Sequence, residues 1–110
     1  MSLPVSTSGR AEADLTRQYR WYLDNVNVEV AERFLKEFDA TVEKLARQPG
    51  MGLARKFRAL ELAGIRSFPL GERFGVHLIF YRDYGDSLSI ERVMHGGRVL
   101  PRRLLEPPED

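Results

Sequence analysis

An apolar stripe with helical spacing runs through the first half of the chain and limits the folds that the chain can adopt. Its members recur at steps of three and four residues: Val28, Ala31, Leu35, Phe38, Val42 and Leu45. This spacing predicts one helix of about five turns with a single apolar face. Gln48-Pro49-Gly50 ends the helix, because proline cannot continue the hydrogen-bond ladder. The stripe is shorter than a coiled coil needs, so the helix is expected to pack within its own domain.

A second helix is predicted before this one. Its apolar residues also follow steps of three and four, and they are Ala11, Leu15, Tyr19, Tyr22, Leu23 and Val26. Ser8 can cap the start of this helix. Asp24, Asn25 and Asn27 can either take a left-handed conformation in the turn that follows or cap the start of the next helix. The two helices therefore form a hairpin. Residues 3–8 before the hairpin can form an edge strand.

Three runs in the second half have the character of strands, at residues 65–70, 74–82 and 87–95. The separators between them are short and contain glycine, as hairpins require. In the central strand, Val76, Leu78 and Phe80 share one face, and His77, Ile79 and Tyr81 share the other. Both faces carry apolar groups, so we expect the helices to cover one face and a partner to cover the other. The stretch before these strands is interpreted as a loop with a helical turn at residues 54–59.

The chain is expected to form one α+β domain. Its 110 residues suffice for one core but not for two ordinary domains, and 43% hydrophobic with 30% charged residues is typical of a globular protein. We predict a single domain over residues 1–110, with the helical hairpin packed on a small antiparallel sheet. Its core spans about residues 5–100, and a Pro-rich tail at residues 101–110 is expected to be flexible.

The composition argues against several classes of function. There is no Cys and only 2 His, so a thiolate zinc site is excluded and no metal or other cofactor is expected. Lys and Arg number 17 against 16 Asp and Glu, and the net charge of +1 gives no reason to expect nucleic-acid or membrane binding. The N-terminus lacks the pattern of a secretory signal, and no apolar run approaches membrane-spanning length. We therefore expect a cytoplasmic protein.

The candidate functional residues are cationic groups near strand ends. The sequence contains no phosphate-loop, zinc-protease or nucleophile-elbow motif. His95 and Arg98 flank a glycine pair, which could bring the backbone close to a carboxylate or phosphate, or could be a simple turn. Arg92 could instead form an ion pair, and Arg66 could anchor a loop carboxylate. His77, in the central strand, fits a packed side chain with a hydrogen bond better than a catalytic base.

Five short motifs together resemble those of ParE toxins. They are AExDL at residues 11–15, AERFL at 31–35, LAxxP at 45–49, IFYR at 79–82 and RVxHG at 92–96. Their order and spacing resemble the ParE branch of the RelE/ParE superfamily, the toxins of bacterial type II toxin–antitoxin pairs. The resemblance implies a helical hairpin packed on an antiparallel sheet. It also implies a cognate ParD-like antitoxin whose C-terminal region wraps the toxin.

The resemblance implies one function and leaves two alternatives. ParE-like toxins are described as inhibitors of DNA gyrase, an activity that requires no catalytic residue and no sequence-specific DNA binding by the toxin alone. RelE-like relatives cleave messenger RNA on the ribosome, and Arg66, His95 and Arg98 are the residues that could serve such a reaction here. The nearly neutral charge favours the gyrase inhibitor. Val99 stands where the family pattern has an acid, which leaves a non-toxic relative that only binds an antitoxin as the third alternative.

In this family the end of the sheet is implied to be a contact surface. An exposed Trp on the first helix would also mark a protein interface, because tryptophan is enriched among the residues that dominate binding. The residues predicted to contact the target or the antitoxin are Trp21, Arg66, Tyr81, Arg92, His95 and Arg98.

Overall fold

The computed structural model, which describes residues 2–96 and 104–105, contains two helices and a five-stranded sheet. The elements are β1 (Val5–Thr7), α1 (Gly9–Asn25), α2 (Val28–Arg47), β2 (Leu53–Ala54), β3 (Arg66–Leu70), β4 (Phe74–Asp83) and β5 (Leu88–His95). The strand order is β1-β5-β4-β3-β2. All neighbouring strands are antiparallel except β1 and β5, which run parallel. The predicted α+β fold and its N-terminal strand are confirmed, and the sheet is mixed rather than purely antiparallel.

The helices begin at the predicted caps. The Oγ atom of Ser8 accepts a hydrogen bond from the N–H of Ala11 at 3.0 Å, and the Oδ1 atom of Asn27 accepts one from the N–H of Val30 at 2.8 Å. Each cap satisfies an N–H group that the first turn of a helix leaves unpaired. In the described part of the chain, neither helix has the length and apolar character needed to cross a membrane.

The main core lies between the helices and one face of the sheet. Phe34 and Leu45 of α2, both 0% exposed, pack in the same cluster as Ile79 and Tyr81 of β4. The face with His77, Ile79 and Tyr81 is therefore the one that meets the helices, a choice that the sequence left open. Burying one stripe of each helix against this face provides the main hydrophobic stabilisation of the domain.

The opposite face of the sheet is partly covered by the chain itself. Phe80 is 0% exposed and packs with Leu62, Ile65 and Leu104 in a second cluster. This covering replaces much of the partner contact that was expected there, although Val76 remains 56% exposed. Of the tail predicted to be flexible, only residues 104–105 are described, and the rest of that prediction lies outside the described residues.

The connection between α2 and β3 differs from its prediction. Residues 54–59 contain no helical turn. Short 3₁₀ turns lie instead at Pro49–Met51 and Leu60–Leu62. Between them, Leu53 pairs with Ser67, and the N–H of Arg55 donates to the carbonyl oxygen of Ile65 at 3.0 Å. The predicted helical turn was wrong, and at the start of this stretch the reason is that pairing of residues 53–54 with β3 requires an extended backbone.

Candidate functional site

A row of aromatic side chains connects the surface of α1 with the end of the sheet. Trp21 and Tyr22 lie on α1, and His77 of β4 lies directly opposite His95 of β5. The ring centroids are 5.5 Å apart for Trp21 and Tyr22, 6.1 Å for Tyr22 and His77, and 6.1 Å for His77 and His95. These four residues are termed the aromatic row. The row links Trp21 and His95, which were predicted separately from the sequence.

The middle of the row is a half-buried Tyr22 and a buried His77, and both are uncharged at neutral pH. His77 is 4% exposed, and its Nε2 atom shares a hydrogen bond of 3.0 Å with the hydroxyl group of Tyr22. Burial, together with the nearby His95, lowers the pKa of His77 to about 4, and burial raises the pKa of Tyr22. A base with so low a pKa is poorly matched to proton transfer near neutral pH. His77 is therefore the packed, hydrogen-bonded side chain that the sequence indicated.

The two ends of the row reach the surface. Trp21 is 52% exposed, and His95 is exposed at the end of β5. At Gly96, an added Cβ atom would lie 3.3 Å from the carbonyl oxygen of Val76, so the absence of a side chain permits this close approach to β4. Trp21 and His95 are the members of the row that a partner can reach. Arg98, which was predicted to act beside them, lies outside the described residues.

Arg92 lies in the interior, where it is 5% exposed. Its Nε atom donates to Oδ2 of Asp14 at 2.8 Å, and its Nη2 atom donates to Oδ1 at 3.0 Å. The N–H of Val93 also donates to Oδ2 of Asp14, at 3.0 Å. The pairing of β1 with β5 ends at Ile90, so the backbone N–H of Val93 has no partner on β1. The carboxylate of Asp14 accepts this hydrogen bond instead. Arg92 therefore joins β5 to α1, and it is not part of the contact surface that we propose below.

Tyr81 and Arg66 hold the turn that follows α2. Tyr81 is 0% exposed; its hydroxyl group donates to the carbonyl oxygen of Pro49 at 2.6 Å and accepts from the N–H of Gly52 at 2.9 Å. The Nη1 atom of Arg66 donates to the carbonyl oxygen of Gly52 at 2.7 Å. Arg66 thus anchors a loop, through a carbonyl oxygen rather than the carboxylate expected from the sequence. Both side chains have structural roles here, and neither is part of the proposed contact surface.

Gly52→Ala should destabilise the protein by displacing Tyr81. A Cβ atom at Gly52 would lie 2.3 Å from the hydroxyl oxygen of Tyr81, and overpacking of this kind costs about 1–3 kcal/mol. Chemical denaturation should show this loss of unfolding free energy. In the control Gly50→Ala, the added Cβ atom meets nothing within 4 Å, so its stability should stay near that of the parent. Equal losses in the two variants would contradict the proposed role of Tyr81.

Arg66 and His95 lie at opposite ends of the sheet. Arg66 pairs with Tyr81 and His95 pairs with His77, so the two positions are separated by about 13 Å along β4 at about 3.3 Å per residue. The fold therefore does not bring these two side chains together as the RNA-cleaving arrangement would require. Within residues 2–96 and 104–105, no group of three His, Cys, Asp or Glu side chains is placed to hold a metal ion.

Comparison with known proteins identifies the family of this chain. The family model described as the ParE toxin of the type II toxin–antitoxin system parDE matches residues 5–100. Toxin ParE1 of Caulobacter vibrioides is 35% identical over 92 residues, which cover 84% of this chain and 88% of that protein. This chain belongs to the ParE toxin family. It is a ParE-type toxin of a toxin–antitoxin system, and the resemblance noted in its motifs is confirmed.

Solved structures share the ParE fold of this chain at lower sequence identity. The chromosomal ParDE TA system from P. aeruginosa matches with a TM-score of 0.68 at 21% identity, covering 86% of this chain and 96% of that chain. The YoeB dimer from Staphylococcus aureus matches with a TM-score of 0.54 at 15% identity, covering 86% of this chain and 98% of that chain. At these identities the likeness concerns the fold alone. It agrees with the hairpin and sheet described above.

The ParE motifs of this chain meet one another in the fold. Asp14 of AExDL forms an ion pair with Arg92 of RVxHG. The carbonyl oxygen of Pro49 in LAxxP accepts a hydrogen bond from the hydroxyl group of Tyr81 in IFYR. Phe34 of AERFL is 0% exposed in the main core. These motif residues act as contacts between elements, so the motif pattern indicates the fold of a ParE toxin more directly than it indicates a target.

Two members of this arrangement were not predicted from the sequence. Asp14 carried a signal, because it lies between Ala11 and Leu15 on the apolar face of α1, where an acid indicates a buried partner. Tyr22 was assigned only to the apolar face of its helix. Its hydrogen bond to His77 joins residues 55 positions apart, and no local pattern encodes such a contact.

Proposed function

We propose that this ParE-family toxin inhibits DNA gyrase in the cytoplasm and is neutralised by a cognate ParD-like antitoxin. The observation that carries the proposal is membership of the ParE family over residues 5–100. The toxin acts by contact and makes or breaks no covalent bond. Its contact surface includes Trp21 and His95 at the exposed ends of the aromatic row. Arg98 joins the proposed surface on the basis of the sequence.

The construction of the aromatic row supports action by contact. Trp21 packs edge-on against Tyr22, and Tyr22 is in turn hydrogen-bonded to the buried His77. A large aromatic side chain held this way loses little conformational entropy when a partner covers it, which favours binding. The distance between Arg66 and His95, with the neutral state of His77, favours this mode over RNA cleavage.

Two assays on the purified chain test the proposed target. The chain is added to a DNA gyrase supercoiling reaction and to a translating ribosome extract. Loss of supercoiling with intact messenger RNA is the expected result. Codon-linked messenger cleavage with normal supercoiling would overturn the proposal in favour of the RelE-like activity. A folded chain that does neither, in cells that grow normally during its expression, would indicate a non-toxic relative and would direct attention to Val99.

Replacing Trp21 and His95 together by alanine should weaken gyrase inhibition at least about tenfold, equivalent to about 1.4 kcal/mol of binding free energy. Both side chains are largely exposed, so the double variant should stay folded, with a loss of stability limited to the edge-on ring contacts with Tyr22 and His77. The control is Tyr84→Ala, because Tyr84 is 61% exposed and lies between β4 and β5 at the opposite end of the sheet from His95. Full inhibition by the double variant would contradict this contact surface and leave the proposal for the target in place.

The antitoxin is tested separately from the target. Co-expression with a ParD-like antitoxin should restore growth, and the two chains should co-purify as a complex. The same antitoxin should also restore supercoiling in the purified reaction. Restored growth without a stable complex would contradict neutralisation by direct binding.

A further inference from the structure

A second surface lies at the edge of the sheet, on residues 53–60 with the sequence LARKFRAL. This segment is termed the edge ribbon. It begins with β2, the last strand of the sheet. Leu53 pairs with Ser67, and the N–H of Arg55 donates to the carbonyl oxygen of Ile65 at 3.0 Å. Backbone pairing with β3 therefore holds the first part of the ribbon extended at the sheet edge.

The edge ribbon carries three bases and no acid, and the exposed Glu61 that follows it offsets only one of these charges. Residues 44–60 contain no acid, and their bases are Lys44, Arg47, Arg55, Lys56 and Arg58. Of these, Arg47 is paired with Glu43; the three ribbon bases form no ion pair with any other described residue. Lys56 and Arg58 are exposed. Since the whole chain has a net charge of only +1, this local excess of bases favours an acidic partner.

Neutral neighbours hold Arg55 in place. Its Nη1 atom donates to the Oγ atom of Ser67 at 3.1 Å. Its Cζ atom lies 5.5 Å from the ring centroid of Phe57 and 5.8 Å from that of Phe80. Such cation–π contacts orient the guanidinium group and leave its charge in place. They also occupy the ring of Phe57, which reduces its value as a stacking platform for nucleic-acid bases.

Two exposed leucines flank the bases of the ribbon. Leu53 is 67% exposed and Leu60 is 87% exposed. One exposed leucine is ordinary in a folded protein, but these two stand on either side of the unbalanced bases. The phosphates of a nucleic acid would pair with the Lys and Arg side chains of the ribbon but would leave the leucines exposed. A peptide with acidic and aliphatic side chains would both pair with these Lys and Arg side chains and bury the leucines. Interfaces between proteins have this composition, with buried apolar groups at the core and polar groups at the rim.

We propose that the edge ribbon binds an acidic peptide segment of a partner protein. The carboxylates of this segment pair with Lys56 and Arg58, and its aliphatic side chains cover Leu53 and Leu60. The surface lies beside β3 at the edge of the sheet, apart from the aromatic row that ends on β5. The proposal goes beyond the inhibition of gyrase, and it can be tested without gyrase or an antitoxin. Failure of one proposal is therefore distinguishable from failure of the other.

Fluorescence anisotropy with a labelled peptide that has a Glu-rich centre flanked by leucines tests this surface. Lys56→Glu with Arg58→Glu should weaken binding at least about tenfold, equivalent to about 1.4 kcal/mol. Leu53→Ser with Leu60→Ser should also weaken it several-fold. The control is Lys36→Glu with Arg73→Glu, which makes the same charge change at two exposed bases elsewhere. Circular dichroism and thermal melts should show that all three variants are folded.

Matched probes decide whether charge and aliphatic groups are both required. Replacing Glu by Gln in the peptide, or its leucines by serine, should weaken binding to the parent chain. Equal weakening by the control variant would overturn the proposal in favour of non-specific charge attraction. An oligothymidylate of similar length that binds more tightly than the peptide, with no effect of the leucine substitutions, would overturn it in favour of nucleic acid. Retained peptide binding by the Lys56→Glu, Arg58→Glu variant would also overturn it.

Discussion

Asp14→Ala should lower the free energy of unfolding by about 3–5 kcal/mol, the cost expected when one partner of a buried ion pair is removed. Asp14 and Arg92 are paired at 2.8 Å, with side chains 5% and 6% exposed respectively. The substitution leaves the guanidinium group of Arg92 buried without this carboxylate. It also removes the acceptor of the Val93 N–H. Urea denaturation of parent and variant measures the loss.

Two further variants separate the lost charge pair from other effects. Asp39 is exposed on α2, so Asp39→Ala should change the stability by no more than about 0.5 kcal/mol. Asp14→Ala combined with Arg92→Met should recover part of the loss, because no charge is then left buried, although the Val93 N–H still lacks its acceptor. A loss of about 1 kcal/mol or less for Asp14→Ala, as for a surface pair, would contradict this account.

Acid should destabilise the protein through His77, by about 3 kcal/mol between neutral pH and pH 4. The pKa of His77 is lowered to about 4 in the folded chain, whereas an unfolded histidine has a pKa of about 6.5. Between these values the unfolded chain binds the proton more readily. The stability contributed by neutral His77 is therefore complete above pH of about 6.5 and is lost as pH falls through about 4. Urea denaturation across this range measures the effect.

Comparison with His77→Gln isolates this contribution. The carboxylates titrate in both proteins, so the difference between the two stability curves reports His77. The variant curve should be flatter between pH of about 6.5 and 4. His95→Gln should retain most of the slope, because burial is the larger cause of the low pKa and His95 the smaller. The same slope in His77→Gln as in the parent would show that His77 does not titrate in this way.

The ParE motifs explain why the fold was predicted more completely than the site. Asp14, Arg92, Pro49 and Tyr81 are motif residues, and each makes a contact that joins distant elements. A motif built from such contacts specifies the fold. Of the two proposed contact residues, Trp21 lies outside all five motifs, and His95 lies in RVxHG at an exposed position. Both stay predictions to be tested by binding.

The two helices, their caps and the three main strands could all be predicted from the order of residues. These features depend on residues that are near one another in the chain, because apolar periodicity and capping are local. The short β2 and the parallel pairing of β1 depend on partners far away in the sequence. The helical turn predicted at residues 54–59 is wrong at its start for this reason, since the pairing of residues 53–54 with β3 is not encoded in the local pattern.

Which of the chemically capable residues are available at the surface depends on how the helices and the sheet pack together. Arg92 and Tyr81 were predicted from the sequence as contact residues, but packing buries them. Arg66 is hydrogen-bonded to the turn after α2. His77 becomes a neutral internal group because α1 and α2 exclude water around it. Burial, register and charge pairing arise when distant segments meet, and a linear pattern of residues does not contain those distances.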